Sequence, residues 1–173
     1  ARMPVVVNGA RADRLIVAAR TAGHTGEREG VTLFLIDAAA PQVSRRLFRM
    51  IDGFGAAEIV IENAVVGPEN VLGVIERGCD LLDIAFDHAI AAVCAEALGA
   101  MEYLIPASAE YTRSRVQYDA PLSRFQVLQH KLADMYIQTQ TAKSMALVAA
   151  MALDGDPLER ARLVSAAKAQ VGR

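Results

Sequence analysis

Asp83 and Asp87 lie one helical turn apart, and His88 follows directly, inside the apolar stretch from Leu81 to Ile105. Carboxylates at this spacing share a helix face, and histidine has the intrinsic pKa of a general base. The plainer reading makes His88 a hydrogen-bonded core residue. It makes the aspartates polar positions near a helix start, where negative charge is favoured. Further on, Arg115, Gln117 and Tyr118 fall between two helical patterns. A guanidinium placed there can project beyond the helices, and its fork of donors matches phosphate oxygens. The plainer fate of such an arginine is a surface ion pair. Arg45, Arg46 and Arg49 read as a solvated strand face. Cys79 and Cys94 show no metal-ligand spacing and read as small buried hydrophobes.

These residues need elements to hold them. Up to about residue 75 the chain consists of short runs. Met3–Val7 is apolar and closes on the turn dipeptide Asn8-Gly9. Leu15–Ala19 is a second run. Residues 23–30 hold three glycines among polar residues and read as a loop. Val31–Ile36 is rich in β-branched and aromatic residues and reads as a buried strand, and Ile59–Ile61 is also strand-like. This spacing predicts an antiparallel sandwich or barrel over 1–76. After Gly78 the period becomes helical, over 77–173. Leu81, Ile84, Ala85, His88, Ala92, Ala95 and Gly99 form one face. Leu82, Phe86, Ala89, Val93, Ala97, Ala100 and Leu104 form another, and both are expected to be buried in a bundle. A second helix is predicted from about Ser123 to Leu153, with the stripe Leu128, Leu132, Met135, Thr139, Ala142, Ala146 and Ala149. Gly155 is expected to cap it, and Pro157 to open a third helix. The fold class is therefore α+β, an antiparallel β-domain followed by an up-down helical bundle, with both ends reading as incomplete.

The chain has 173 residues, enough for one domain or two small ones. Hydrophobic residues at 53% against 22% charged rule out a disordered chain, and a net charge of −2 gives no nucleic-acid footprint. Mean hydropathy is +0.25, so a membrane span has to be considered. The most apolar stretch carries Asp83, Asp87, His88, Glu96 and Glu102, which excludes one there. No signal-peptide pattern opens the chain, and two thiols make no disulfide framework, so the expected setting is intracellular and cytoplasmic.

Several segments, taken in order, resemble the flavin-dependent acyl-CoA dehydrogenases. They are Asn8-Gly9-Ala10, Leu15–Arg20, Gly30–Asp37, Ala57–Asn63, then Pro68 and Leu72-Gly73, and Ala95–Gly99. The fullest is Glu110–Tyr118, continued by Pro121-Leu122, Phe125-Gln126, Gln129-His130 and Leu132–Met135. The resemblance implies an eight-stranded β-domain and a four-helix C-terminal domain, preceded by a helical domain. It implies FAD, an acyl-CoA substrate converted to a trans-2-enoyl-CoA, and an electron-transfer partner that accepts from the flavin. It also implies a homo- or hetero-oligomer, dimer or tetramer.

Residue by residue, the resemblance gives Arg115 the FAD pyrophosphate of a neighbouring subunit. Gln117 and Tyr118 line the adenosine half, and Phe125 and Gln126 sit beside adenine and ribose. Val5, Val6 and Val7 flank the flavin ring, while Phe86, Asp87 and Ile90 face the substrate. The usual catalytic Glu lies beyond Arg173, and the alternative position for it falls on Ala89, which is no base. Val7 replaces a frequent Thr or Ser, Asp119 a frequent Gly and Ile90 a frequent Arg. These departures keep two alternatives open: a non-catalytic partner subunit, or a related flavin-dependent acyl-CoA oxidase or monooxygenase. The 173 residues alone are expected to be inactive.

Overall fold

The β-branched runs form six strands: β1 (Arg2–Val7), β2 (Arg14–Arg20), β3 (Val31–Asp37), β4 (Val43–Arg49), β5 (Gly55–Ile61) and the short β6 (Val71–Leu72). They make two antiparallel three-stranded sheets, ordered β1-β5-β4 and β2-β3-β6. The computed structural model describes residues 1–173, which divide into two compact units, Ala1–Leu82 and Asp83–Arg173.

In the first unit the sheets face each other across one core. Leu15 and Ile36 come from one sheet and Ala57, Ile59 and Ile61 from the other. This is a sandwich and no closed barrel. Six strands lie in this unit, within the part of the β-domain expected over 1–76. The two central strands, β3 and β5, are the β-rich runs Val31–Ile36 and Ile59–Ile61. They are buried because each has neighbours on both edges.

The outer face of the first sheet is tied by charge. Glu58 on central β5 accepts Nε of Arg2 on one neighbouring strand and Nε of Arg46 on the other, at 2.6 and 2.8 Å. These two guanidiniums hold the Glu58 carboxyl below the ordinary glutamate range, Arg2 contributing most. The run Arg45, Arg46 and Arg49 is exposed, as expected of a solvated face. The glycine loop after β2 is also pinned: the Arg20 guanidinium donates to the carbonyls of Ala22, Glu27 and Glu29. Gly30 has φ +85°, and a Cβ there would lie 2.1 Å from the Ala22 carbonyl oxygen, so only glycine fits.

The helices are α1 (Gly78–Ser114), α2 (Gln126–Ala152) and α3 (Pro157–Val171). Helix α1 runs on through Pro106 for a length of about 55 Å. In the second unit α2 buries Ala142, Ala146 and Ala149 against Val164, Ala167 and Val171 of α3, with Thr139 also buried; of the rest of the predicted stripe Leu128 and Leu132 are half-buried and Met135 is exposed. Small side chains let the two helices lie close. The end of α2 differs from expectation. It stops at Ala152 with Leu153 as a right-handed cap, so Gly155 is not the capping residue. Asp156 instead caps α3, its carboxylate accepting from the backbone of Leu158 and Glu159, with Pro157 at the first helical position.

The face of α1 that enters this core is neither of the two predicted. Leu81, Ile84, His88, Ala92, Phe86, Ala89 and Val93 are all exposed. The buried line runs through Asp87, Ala91 and Cys94 and continues through half-buried Leu98, Met101 and Ile105. It lies roughly a third of a turn from each predicted face, counting 3.6 residues per turn. Both predicted faces are rich in apolar residues, but a helix apolar nearly all round does not say which side faces its neighbours. No helix is long and apolar enough to cross a membrane.

Candidate functional site

Between α1 and α2 the chain makes a two-residue β-hairpin, β7 (Val116–Gln117) and β8 (Ala120–Pro121), then a 3₁₀ turn at Leu122–Arg124. The turn residues Tyr118 and Asp119 both lie in the left-handed region, with φ +54° and +60°. Two consecutive left-handed residues give the type I′ geometry that matches strand twist. Glycine adopts it freely, aspartate tolerates it, and a tyrosine rarely does. The backbone therefore explains why glycine would suit position 119.

Arg115 enters this hairpin with its backbone fixed on both sides. Its N–H donates to the Tyr111 carbonyl, and its own carbonyl accepts from Leu122 N–H, each at 2.9 Å. Its side chain is exposed and makes no hydrogen bond or ion pair within the chain. Arg113, two residues earlier, is by contrast paired with Glu110. Tyr118 projects at 90% exposure, and its ring meets that of half-buried Phe125 edge-on. Gln126 is exposed at the first turn of α2, and Gln129 donates to the Ser123 carbonyl, which fixes the 3₁₀ turn. The structure thus gathers Arg115, Gln117, Tyr118, Phe125 and Gln126 around one rigid connection. The connection offers two exposed, unpaired guanidiniums, Arg115 and Arg124 of the 3₁₀ turn, with two amides and an aromatic pair.

In the first unit, Val5 and Val7 point out of the sandwich at 58 and 62% exposure, while Val6 packs into the core. Val7 stands opposite fully buried Ala56, and Ala56 opposite Phe48, so this row is apolar across three strands. In the second unit Phe86 is exposed and Ile90 packs against the helical core.

Asp87 has a different place from the one expected. It is buried, and its Oδ2 accepts Nε of Arg160 on α3 at 2.8 Å, both side chains being about nine-tenths enclosed. Arg160 lies 73 residues away, so no sequence spacing could announce the pair. His88 is exposed rather than a core residue, its Nδ1 2.9 Å from the Ile84 carbonyl. Cys94 is fully buried and Cys79 half-buried, both as free thiols. No group of His, Cys, Asp and Glu has the arrangement to hold a metal ion.

An antiparallel two-sheet unit followed by long helices is the fold of the acyl-CoA dehydrogenases. Residues 76–173 match the acyl-CoA dehydrogenase C-terminal domain. The mitochondrial isovaleryl-CoA dehydrogenase of Oryza sativa subsp. japonica is 32% identical over 156 residues, covering 88% of this chain and 38% of that protein. The structure of butyryl-CoA dehydrogenase from Megasphaera elsdenii superposes with a TM-score of 0.85 at 27% identity, over 99% of this chain and 46% of that one. A glutaryl-coenzyme A dehydrogenase complex gives 0.88 at 26% identity, over 99% and 44%. The chain belongs to the acyl-CoA dehydrogenase family. It spans less than half the length of these relatives.

Proposed function

We propose that this chain is the flavin-holding part of an FAD-dependent acyl-CoA dehydrogenase, which introduces a 2,3-trans double bond into an acyl-CoA thioester. The observation that carries the reading is Arg115, an unpaired guanidinium on a connection whose backbone is already fixed. A dinucleotide suits that donor set. Two phosphates want a fork of N–H donors, ribose and base edges want amides, and a planar base wants an aromatic neighbour. Arg115 would hold the pyrophosphate across a subunit contact, with Gln117 and Tyr118 along the adenosine and Phe125 and Gln126 beside adenine and ribose. Val5 and Val7 would present apolar walls to the ring, where many relatives place a hydroxyl. When bound, FAD supplies the hydride acceptor.

Phe86 and Ile90 would border the acyl chain. Ala89 between them can neither take nor give a proton, so this chain contributes binding and orientation in the reading. The electrons leave to a separate carrier protein, and the active form is an oligomer.

The test is acyl-CoA-dependent reduction of an artificial acceptor by the full-length gene product with FAD, across saturated acyl-CoA chain lengths. The reading expects turnover with at least one of them. Retained flavin with no turnover on any would favour the non-catalytic partner subunit instead.

A further inference from the structure

Helix α1 offers apolar residues on almost every side. Leu81, Ile84, Phe86, Val93 and Leu104 are exposed, while Ala91 and Cys94 are buried and Leu98 and Met101 pack against the core. The gain from burial scales with the apolar area removed from water, and every side of α1 carries large apolar residues, so that gain separates the rotations weakly. The buried line contains one feature that can select among them. Asp87 is its charged member, and it meets Arg160 of α3 at 2.8 Å with both groups enclosed.

We propose that the Asp87–Arg160 pair is the rotational key of α1. It selects the face turned to the bundle, and so the face that carries Phe86, Ala89 and Val93 outward. The physical basis is asymmetry of cost. A buried ion pair adds little over a well-packed apolar pair, but either partner left alone and buried is strongly unfavourable. Turning α1 by a third of a turn would withdraw Asp87 from Arg160 and leave the arginine unpaired beside the end of α2. The apolar alternatives lose nothing comparable. The pair therefore discriminates between rotations that hydrophobicity leaves close in energy. Asp87 and Arg160 are positioning residues in this account. That the outward face borders substrate rests on the proposed function, but the rotation itself does not.

Cys94 reports the rotation, because it lies two turns beyond Asp87 on the same line and is fully buried. The experiment measures its labelling by a thiol reagent in a Cys79→Ser background of the full-length protein, well below each variant's own unfolding midpoint. The parent is expected to label slowly. Asp87→Leu combined with Arg160→Leu should keep its helix content and thermal midpoint, yet label Cys94 at least tenfold faster as other rotations become populated. Asp87→Asn, which keeps the shape and removes the charge, should also accelerate labelling. Labelling at the parent rate in either variant would overturn the proposal, since packing alone would then hold the rotation. No substrate or flavin enters this readout, so its failure leaves the functional reading untouched, and failure of that reading leaves the rotation standing.

Discussion

The Tyr118 ring meets the Phe125 ring edge-on, centroids 6.4 Å apart and planes at 85°. The contact ties the tip of the hairpin to the start of α2, so the strained turn at 118–119 is held from outside itself. Left-handed backbone costs a non-glycine residue roughly 1–2 kcal/mol, less for aspartate, and glycine gives back about 0.5–1 through its freer unfolded chain. Asp119→Gly should therefore leave stability unchanged or raise it by up to about 0.5 kcal/mol. Asp119→Val, β-branched and forced to positive φ, should cost at least ~1 kcal/mol. Urea unfolding of the two variants beside the parent decides it.

Packing of α2 on α3 rests on alanines with no room to spare, Ala149 and Ala167 both being fully buried. Ala149→Leu should destabilise by about 1–3 kcal/mol through overpacking. Ala150→Leu, one residue on and exposed, should fall within about 0.5 kcal/mol of the parent. Thermal unfolding of the pair separates a packed stripe from a general intolerance of larger residues in α2.

The buried part of the α2 stripe was readable because its small residues recur at helical spacing, with Gln140, Thr141, Lys143 and Ser144 off the stripe in its first turns. The strands were readable for a similar reason: Val31–Ile36 and Ile59–Ile61 are β-branched runs, and both became central strands. The burial face of α1 was not readable. Its apolar residues occupy two faces, while the buried line between them contains Asp87, whose partner Arg160 is set by tertiary packing alone. The Arg2–Glu58–Arg46 cluster is not legible in the sequence for the same reason, since cross-strand neighbours follow from register and not from spacing. At the candidate site the sequence motif named Arg115, Gln117, Tyr118, Phe125 and Gln126. The left-handed pair at 118–119 and the unpaired state of Arg115 became visible only with the backbone in place.

Glu58 gives the β-unit a pH signature. Its folded pKa lies below the ordinary value of 4.5, chiefly through Arg2 and then Arg46. A depressed carboxylate contributes stability that is present above the unfolded value and is lost as pH falls through the folded one. Stability of the parent should therefore decline below about pH 4.5. Glu58→Gln should flatten that part of the acid limb, while Arg46→Met should weaken the pH dependence without abolishing it, because Arg2 remains. Unfolding midpoints between neutral and strongly acid pH provide the check. An acid limb in Glu58→Gln as steep as the parent's would remove the assignment.

The central claim is that Arg115 holds the flavin dinucleotide, and flavin retention by full-length Arg115 variants on gel filtration tests it most directly. A charge-assisted bond to phosphate contributes about 1.5–3 kcal/mol. Arg115→Ala should therefore weaken FAD binding at least about tenfold, and Arg115→Lys should recover part of it, keeping the charge without the paired donors. Arg113→Ala serves as the control, since Arg113 is already engaged with Glu110, and it should elute with its flavin. Arg115→Ala that keeps FAD as well as the parent does would contradict the account.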